Sequence, residues 1–91
     1  MNKDRRKRLA AAIGMLNSAK EQLSSAKESI ELIKDEEEEA YDNLPEGVQD
    51  SERGEVMSEN VDELDSVVSD LDSMDSDIDD KIEEIQNVID K

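Results

Sequence analysis

Apolar residues in the first half of the chain fall into two columns with a seven-residue repeat. One column runs Leu9, Leu16, Leu23, Ile30, Glu37 and Leu44, and the other runs Ala12, Ala19, Ala26, Ile33 and Ala40. A second pair of columns follows: Met57, Leu64, Leu71, Ile78 and Ile85, beside Val61, Val68, Asp75, Ile82 and Ile89. A heptad sustained this long predicts two α-helices that bury a narrow seam against each other.

The segment between them, AYDNLPEGVQDSERGE (residues 40–55), breaks the pattern. Pro45 disfavours helix at Leu44. LPEG suits a type I turn, with Pro second and Gly fourth. Asp50 or Ser51 can cap a second helix, and Glu52 and Glu55 suit its positive end. The sequence therefore predicts an all-α fold, a single helical-hairpin domain over residues 1–91. Helix is expected over residues 4–43 and 51–90, with a loop at 44–50.

Folding the chain back at Gly47 pairs residues whose numbers sum to 94. Leu9 then meets Ile85, Leu16 meets Ile78, Leu23 meets Leu71, and Ile30 meets Leu64. The second column falls into the same register, Ala12 with Ile82 and Ile33 with Val61. Ala40 opposite Gly54 would bring the backbones closest beside the loop. Two layers carry charge, Glu37 opposite Met57 and Asp75 opposite Ala19. Either these carboxylates reach the surface, Asp75 toward Lys20, or they fix register and oligomeric state.

Ile13, Met15, Val67, Met74 and Val88 lie off this seam, as does Ala10. They make an oligomer interface the expectation, a four-helix-bundle dimer or a higher homo-oligomer.

Charge sharpens the picture. The formal net charge is −16. Residues 1–34 carry eight Lys/Arg against four Asp/Glu, and residues 35–91 carry three against twenty-three. An acidic body repels nucleic acid and anionic membrane and favours basic partners or cations. Five consecutive acids, Asp35 to Glu39, close the first helix and oppose its dipole. A cation, a basic partner or Arg53 would relieve them. The basic start, residues 3–8, could touch phosphate or anionic lipid, or could pair across the hairpin's open end with Asp79, Asp80, Glu83, Glu84 and Asp90.

Several chemistries drop out. Without cysteine or histidine there is no disulfide, thiolate metal site or imidazole base. The acidic run DLDSMDSDIDD lacks the Gly and Glu that a calcium loop starting at Asp75 needs, so no metal or other cofactor is expected. No nucleophile–base signature points to an enzyme. No apolar run is long enough for a membrane span. MNKDRRKRLAAAIGML has the outline of a secretory signal, but its apolar residues continue at helical spacing beyond it. A cytoplasmic protein is the expectation.

A turn needs Pro45, Gly47 and a cap, but not Tyr41, Asn43, Gln49 or Arg53. Tyr41 could stack on a base, and Arg53 with the helix N-terminus at Ser51 could hold phosphate. Asn43 and Gln49 could read polar edges. These five residues are the candidate ligand site, unless the loop only satisfies itself.

The block EEEEAYDNLPEGVQDSERGEVMSENVDELDSVVSDLD resembles a group of small acidic helical proteins encoded by phages and prophages. In that group the loop residues recur while the helix surfaces drift, which implies that the loop matters. The resemblance implies a non-enzymatic protein that counters host antiviral defence. Sequestration of a nucleotide immune signal by an oligomer, in sites built around the loop, is the first expectation. The alternatives are an acidic DNA mimic that blocks a basic, nucleic-acid-binding host protein, and a structural scaffold.

Overall fold

The computed structural model describes all residues from Met1 to Lys91. It contains two helices and no strand: α1, Lys3–Asp42, and α2, Glu52–Ile89. They form the antiparallel helical hairpin that the heptads predict. Packing divides the chain into two units. A terminal unit comprises Met1–Ser25 with Asp72–Lys91, and a loop unit comprises Ala26–Leu71.

In the terminal unit the α2 columns turn inward as expected: Asp75, Ile78, Ile82, Ile85 and Ile89 are all half-buried. On α1 the column of Leu9, Leu16 and Leu23 is also half-buried, but its companion is not the alanine column. Ile13 and Lys20 are half-buried; of the alanines, Ala12 is half-buried beside Ile13 and Ala19 is exposed. The Lys20 ammonium reaches Asp79 across the pair. These two residue numbers sum to 99, not 94.

The loop unit repeats the shift. Lys27, Lys34 and Tyr41 are half-buried beside Ile30, Glu37 and Leu44, while Ala26, Ile33 and Ala40 are exposed. Lys34 Nζ lies 3.2 Å from Asp65 Oδ1. Asn60 Nδ2 donates to Glu37 Oε2 at 3.1 Å. Those pairs sum to 99 and 97. The expected register of 94 and the expected second column of α1 are therefore both corrected.

The physical reason is the lysine side chain. Its four methylenes cover seam positions while its ammonium leaves at the flank to meet a carboxylate. Lys20, Lys27 and Lys34 do what alanine was expected to do, and the chain slides by about one helical turn. Glu37 is half-buried and bonded to Asn60 rather than opposed to Met57. Asp75 is half-buried, and its charge acts on Lys20, whose ammonium is bonded to Asp79. Ile13 belongs to the hairpin's own seam and not to a free surface.

Little of either unit is sealed from water. Val68, 8% exposed, is the one buried apolar side chain, and no side chain is fully buried.

Candidate functional site

The loop unit carries 17 Asp/Glu against 3 Lys/Arg, a net of −14 of the chain's −16. Its polar side chains divide into those that build the loop and those left over.

α1 ends at Asp42, and Asn43 N and Leu44 N still bond back to Glu39 O and Tyr41 O. Pro45 then opens a turn closed by Val48 N donating to Pro45 O at 2.9 Å. Gly47 sits third in it with φ +91°, a left-handed geometry that marks a type II turn and favours glycine. The expected type I turn over LPEG is thus displaced by one residue. A further turn joins Val48 O to Ser51 N at 3.0 Å.

Ser51, rather than Asp50, caps α2. Its carbonyl accepts the first helical bond from Glu55 N at 2.9 Å, and its Oγ accepts a long one from Gly54 N at 3.5 Å. That hydroxyl also donates to Val48 O. Gln49 serves the opposite helix. Its Nε2 donates to Tyr41 O at 3.1 Å, as a second donor beside Leu44 N, and to Asp42 O at 3.5 Å, one of the last carbonyls of α1 that the helix itself leaves without a partner.

For Gln49 to reach back, its backbone must lie against the start of α2. Gly54 is buried there, and a Cβ on it would meet Gln49 C at 2.5 Å and Gln49 Cα at 2.7 Å. The close approach thus joins loop to helix at Gly54, whereas the expected partner Ala40 is exposed.

Of the five expected ligand residues, Gln49 and Ser51 are engaged by the loop itself. Asn43 and Arg53 are exposed. Arg53 forms no ion pair, so the acids of residues 35–39 are not relieved by it. Tyr41 is half-buried and lines an open cleft of about 420 Å³ with Gln49, Gly54 and Ser58. Asp50, Glu55 and Glu59 complete the rim. None of these three carboxylates was among the expected ligand residues. Their signal was spacing, since Glu55 and Glu59 lie four apart on α2 and face one way.

In the terminal unit Lys20 has its pKa raised above 10.5 by its hydrogen bond to Asp79, with further help from the charge of Asp75. In the loop unit the hydrogen bond to Asp65 raises Lys34 likewise. Among the basic residues at the start of α1 the only ion pair is local, Arg8 with Asp4 at 3.5 Å. The expected cross-hairpin pairs to Asp79, Asp80, Glu83, Glu84 and Asp90 do not form. In the observed register, residues 3–8 face positions beyond Ile89, where α2 has ended.

No group of His, Cys, Asp and Glu is placed to hold a metal ion, and no helix is long and apolar enough to cross a membrane. No protein-family model, curated protein or solved structure matches the chain.

Proposed function

We propose that the chain is a non-enzymatic acidic binding protein that occupies the basic surface of a protein partner. The loop-unit cleft would receive a lysine or arginine from that partner. The observation that carries this reading is the cleft itself, where Tyr41 lies beside Asp50, Glu55 and Glu59 in a unit of net charge −14. A tyrosine face and nearby carboxylates favour a cationic side chain twice over, by ring quadrupole and by charge. Proteins that handle nucleic acid present basic surfaces of the sort such a cleft would engage. The resemblance to phage-encoded proteins makes a host defence protein the natural target, inhibited by acidic mimicry. Location in the cytoplasm follows from that target and is part of the same proposal.

Nucleotide sequestration has weaker support. The Gln49 and Ser51 side chains are engaged in capping, and three carboxylates border the space where an anion would sit. Arg53, exposed and unpaired, is the feature that favours it.

Both readings are tested by titrating the chain with an oligoarginine peptide, then by native mass spectrometry with cyclic dinucleotides, cyclic trinucleotides and ADP-ribose. Mimicry predicts peptide binding that weakens steeply from roughly 50 to 200 mM salt. Tyr41→Ala should weaken it by about 2- to 30-fold, the range that 0.5–2 kcal/mol of cation–π attraction implies. Equal binding by Tyr41→Ala would remove the cleft from the proposal. A stoichiometric nucleotide adduct lost in Arg53→Ala would replace mimicry with sequestration.

A further inference from the structure

Of the two roles expected for the basic start of α1, pairing across the hairpin is absent, and contact with an anion is left. Lys3, Arg5, Arg6, Lys7 and Arg8 crowd the positive end of the helix dipole, where cations are unfavourable. Asp4 is the only acid of α1 before Glu21. It pairs with Arg8 at 3.5 Å, and the other four cations form no ion pair. Arg6 is half-buried, with its Nε sealed from solvent and without a hydrogen-bond partner. Asn2 already caps the helix. Its Oδ1 accepts from Arg5 N at 2.9 Å and its carbonyl accepts from Arg6 N at 3.2 Å. The excess of positive charge therefore takes no part in building the helix end.

Part of that charge borders a space. Arg5, Arg8 and Leu9 share one face of α1, three and four residues apart. With Met1 they line an open cleft of about 420 Å³. Leu9 is half-buried and Met1 is 55% exposed. The cleft thus joins two guanidiniums to two apolar side chains, the mixture found in small-molecule sites of about 300–1,000 Å³.

Two guanidiniums call for an anion, and their number favours one form of it. A carboxylate offers two oxygens, which a single arginine fills in a bidentate pair. A phosphate monoester offers three terminal oxygens and a charge of about −1.5 to −2, so it engages both arginines together. Met1 and Leu9 have no part in holding bare phosphate. They suit an apolar group attached to it.

Charge also limits the ligand's size. The terminal unit carries 8 Lys/Arg against 10 Asp/Glu, and eight of those acids lie between residues 72 and 90. An anionic membrane or a nucleic-acid backbone spreads its charge over a wide face and would meet those acids along with the basic start. A compact anion inside the cleft meets the guanidiniums first.

We propose that this cleft binds a small organic phosphate, with Arg5 and Arg8 holding the phosphate and Met1 and Leu9 taking its apolar group. Asp4 competes for Arg8 and weakens the site. The cleft lies in the terminal unit and the cation-binding cleft in the loop unit, so neither proposal rests on the other.

Calorimetric titration of the full chain with hexyl phosphate, inorganic phosphate and hexanol tests it. Hexyl phosphate should bind one per chain, at least about tenfold tighter than inorganic phosphate, as burial of two methylenes implies. Hexanol should not bind. Arg5→Gln with Arg8→Gln should weaken hexyl phosphate at least about tenfold, the loss of two charge-assisted contacts. Both side chains are exposed, so the helical circular dichroism should stay unchanged. Lys3→Gln with Lys7→Gln removes the same charge outside the cleft and should weaken binding only about two- to threefold. Asp4→Asn should tighten it by about two- to fivefold. Equal affinity for the two phosphates, equal loss in the arginine and lysine pairs, or no binding at all would each overturn the proposal. Phosphatidylserine vesicles or duplex DNA that displace hexyl phosphate from the arginines would overturn it in favour of an extended polyanion.

Discussion

Replacing Gly54 by alanine separates helix propensity from packing, because the two predict opposite signs. Gly54 lies in the first turn of α2, where alanine would ordinarily stabilise by up to about 1 kcal/mol. Here the added Cβ falls 2.5 Å from Gln49 C and 2.7 Å from Gln49 Cα. Both are backbone atoms that no rotamer change can clear. Ordinary van der Waals contact begins near 3.4 Å, so loop and helix must part by the better part of an ångström. Overpacking of this kind costs about 1–3 kcal/mol. The movement also draws Gln49 from Tyr41 O and Asp42 O, and one such hydrogen bond contributes about 0.5–1.5 kcal/mol. After the gain in propensity, Gly54→Ala should destabilise by roughly 1–3 kcal/mol, a fall in Tm of roughly 4–20 °C for a chain this size. The chain has no tryptophan, so thermal and urea unfolding are best followed by far-ultraviolet circular dichroism. A variant that melts at or above the wild type would refute the close approach and the loop geometry built on it.

The companion substitution Gly14→Ala meets nothing within 4 Å and should stabilise by up to about 1 kcal/mol, read in the same melts. Glu38→Gln with Glu39→Gln should stabilise the hairpin by about 0.3–1 kcal/mol per residue in the same melts, since both acids oppose the dipole of α1. Lys20 and Lys34 have pKa values raised above 10.5 in the fold. Their contribution is therefore fully present below 10.5 and lost as pH rises through the folded-state values. The urea midpoint should fall across that alkaline window, and less steeply in Lys20→Gln, Lys34→Gln. Added salt should raise the urea midpoint at neutral pH, because screening relieves the repulsion among 27 carboxylates more than it weakens exposed ion pairs.

The helices and their antiparallel pairing were legible because α2, Asp75 excepted, writes both seam columns in apolar residues. On α1 only one column is written that way. Leu9, Leu16, Leu23 and Ile30 accept a companion column either three residues later, through Ala12 and Ala19, or four residues later, through Ile13 and Lys20. Apolarity favours the alanines, and the register of 94 follows from them. Ion pairing favours the lysines, and that consideration needs both helices at once. Lysines repeating at seven, with aspartates at 65 and 79 on the opposing helix, were the readable sign. Loop chemistry was partly legible for a similar reason. Glycine at 47 and a cap at 51 follow from local rules. The capture of the α1 carbonyls by Gln49, and hence the demand for glycine at 54, depends on a contact that closes only after the loop has formed.

The same slide of one turn also decides what each flank can do. Had the alanine column been buried, the lysines would have stood outside, and both flanks of the hairpin would carry charge. With lysines in the seam, their ammoniums leave on the side of Asp65 and Asp79. Ala19, Ala26, Ile33 and Ala40 are left on the opposite flank with Val67 and Met74. Lys20→Ala with Lys34→Ala then tests the whole division. The shortened side chains leave the seam underfilled at two layers. If the lysine stems set the register, the seam should relax toward the alanine column, with stability falling in urea melts and the coupling of Glu37 to Asn60 lost from a double-mutant cycle. Loss of stability with that coupling intact would show that the lysines stabilise the register without setting it.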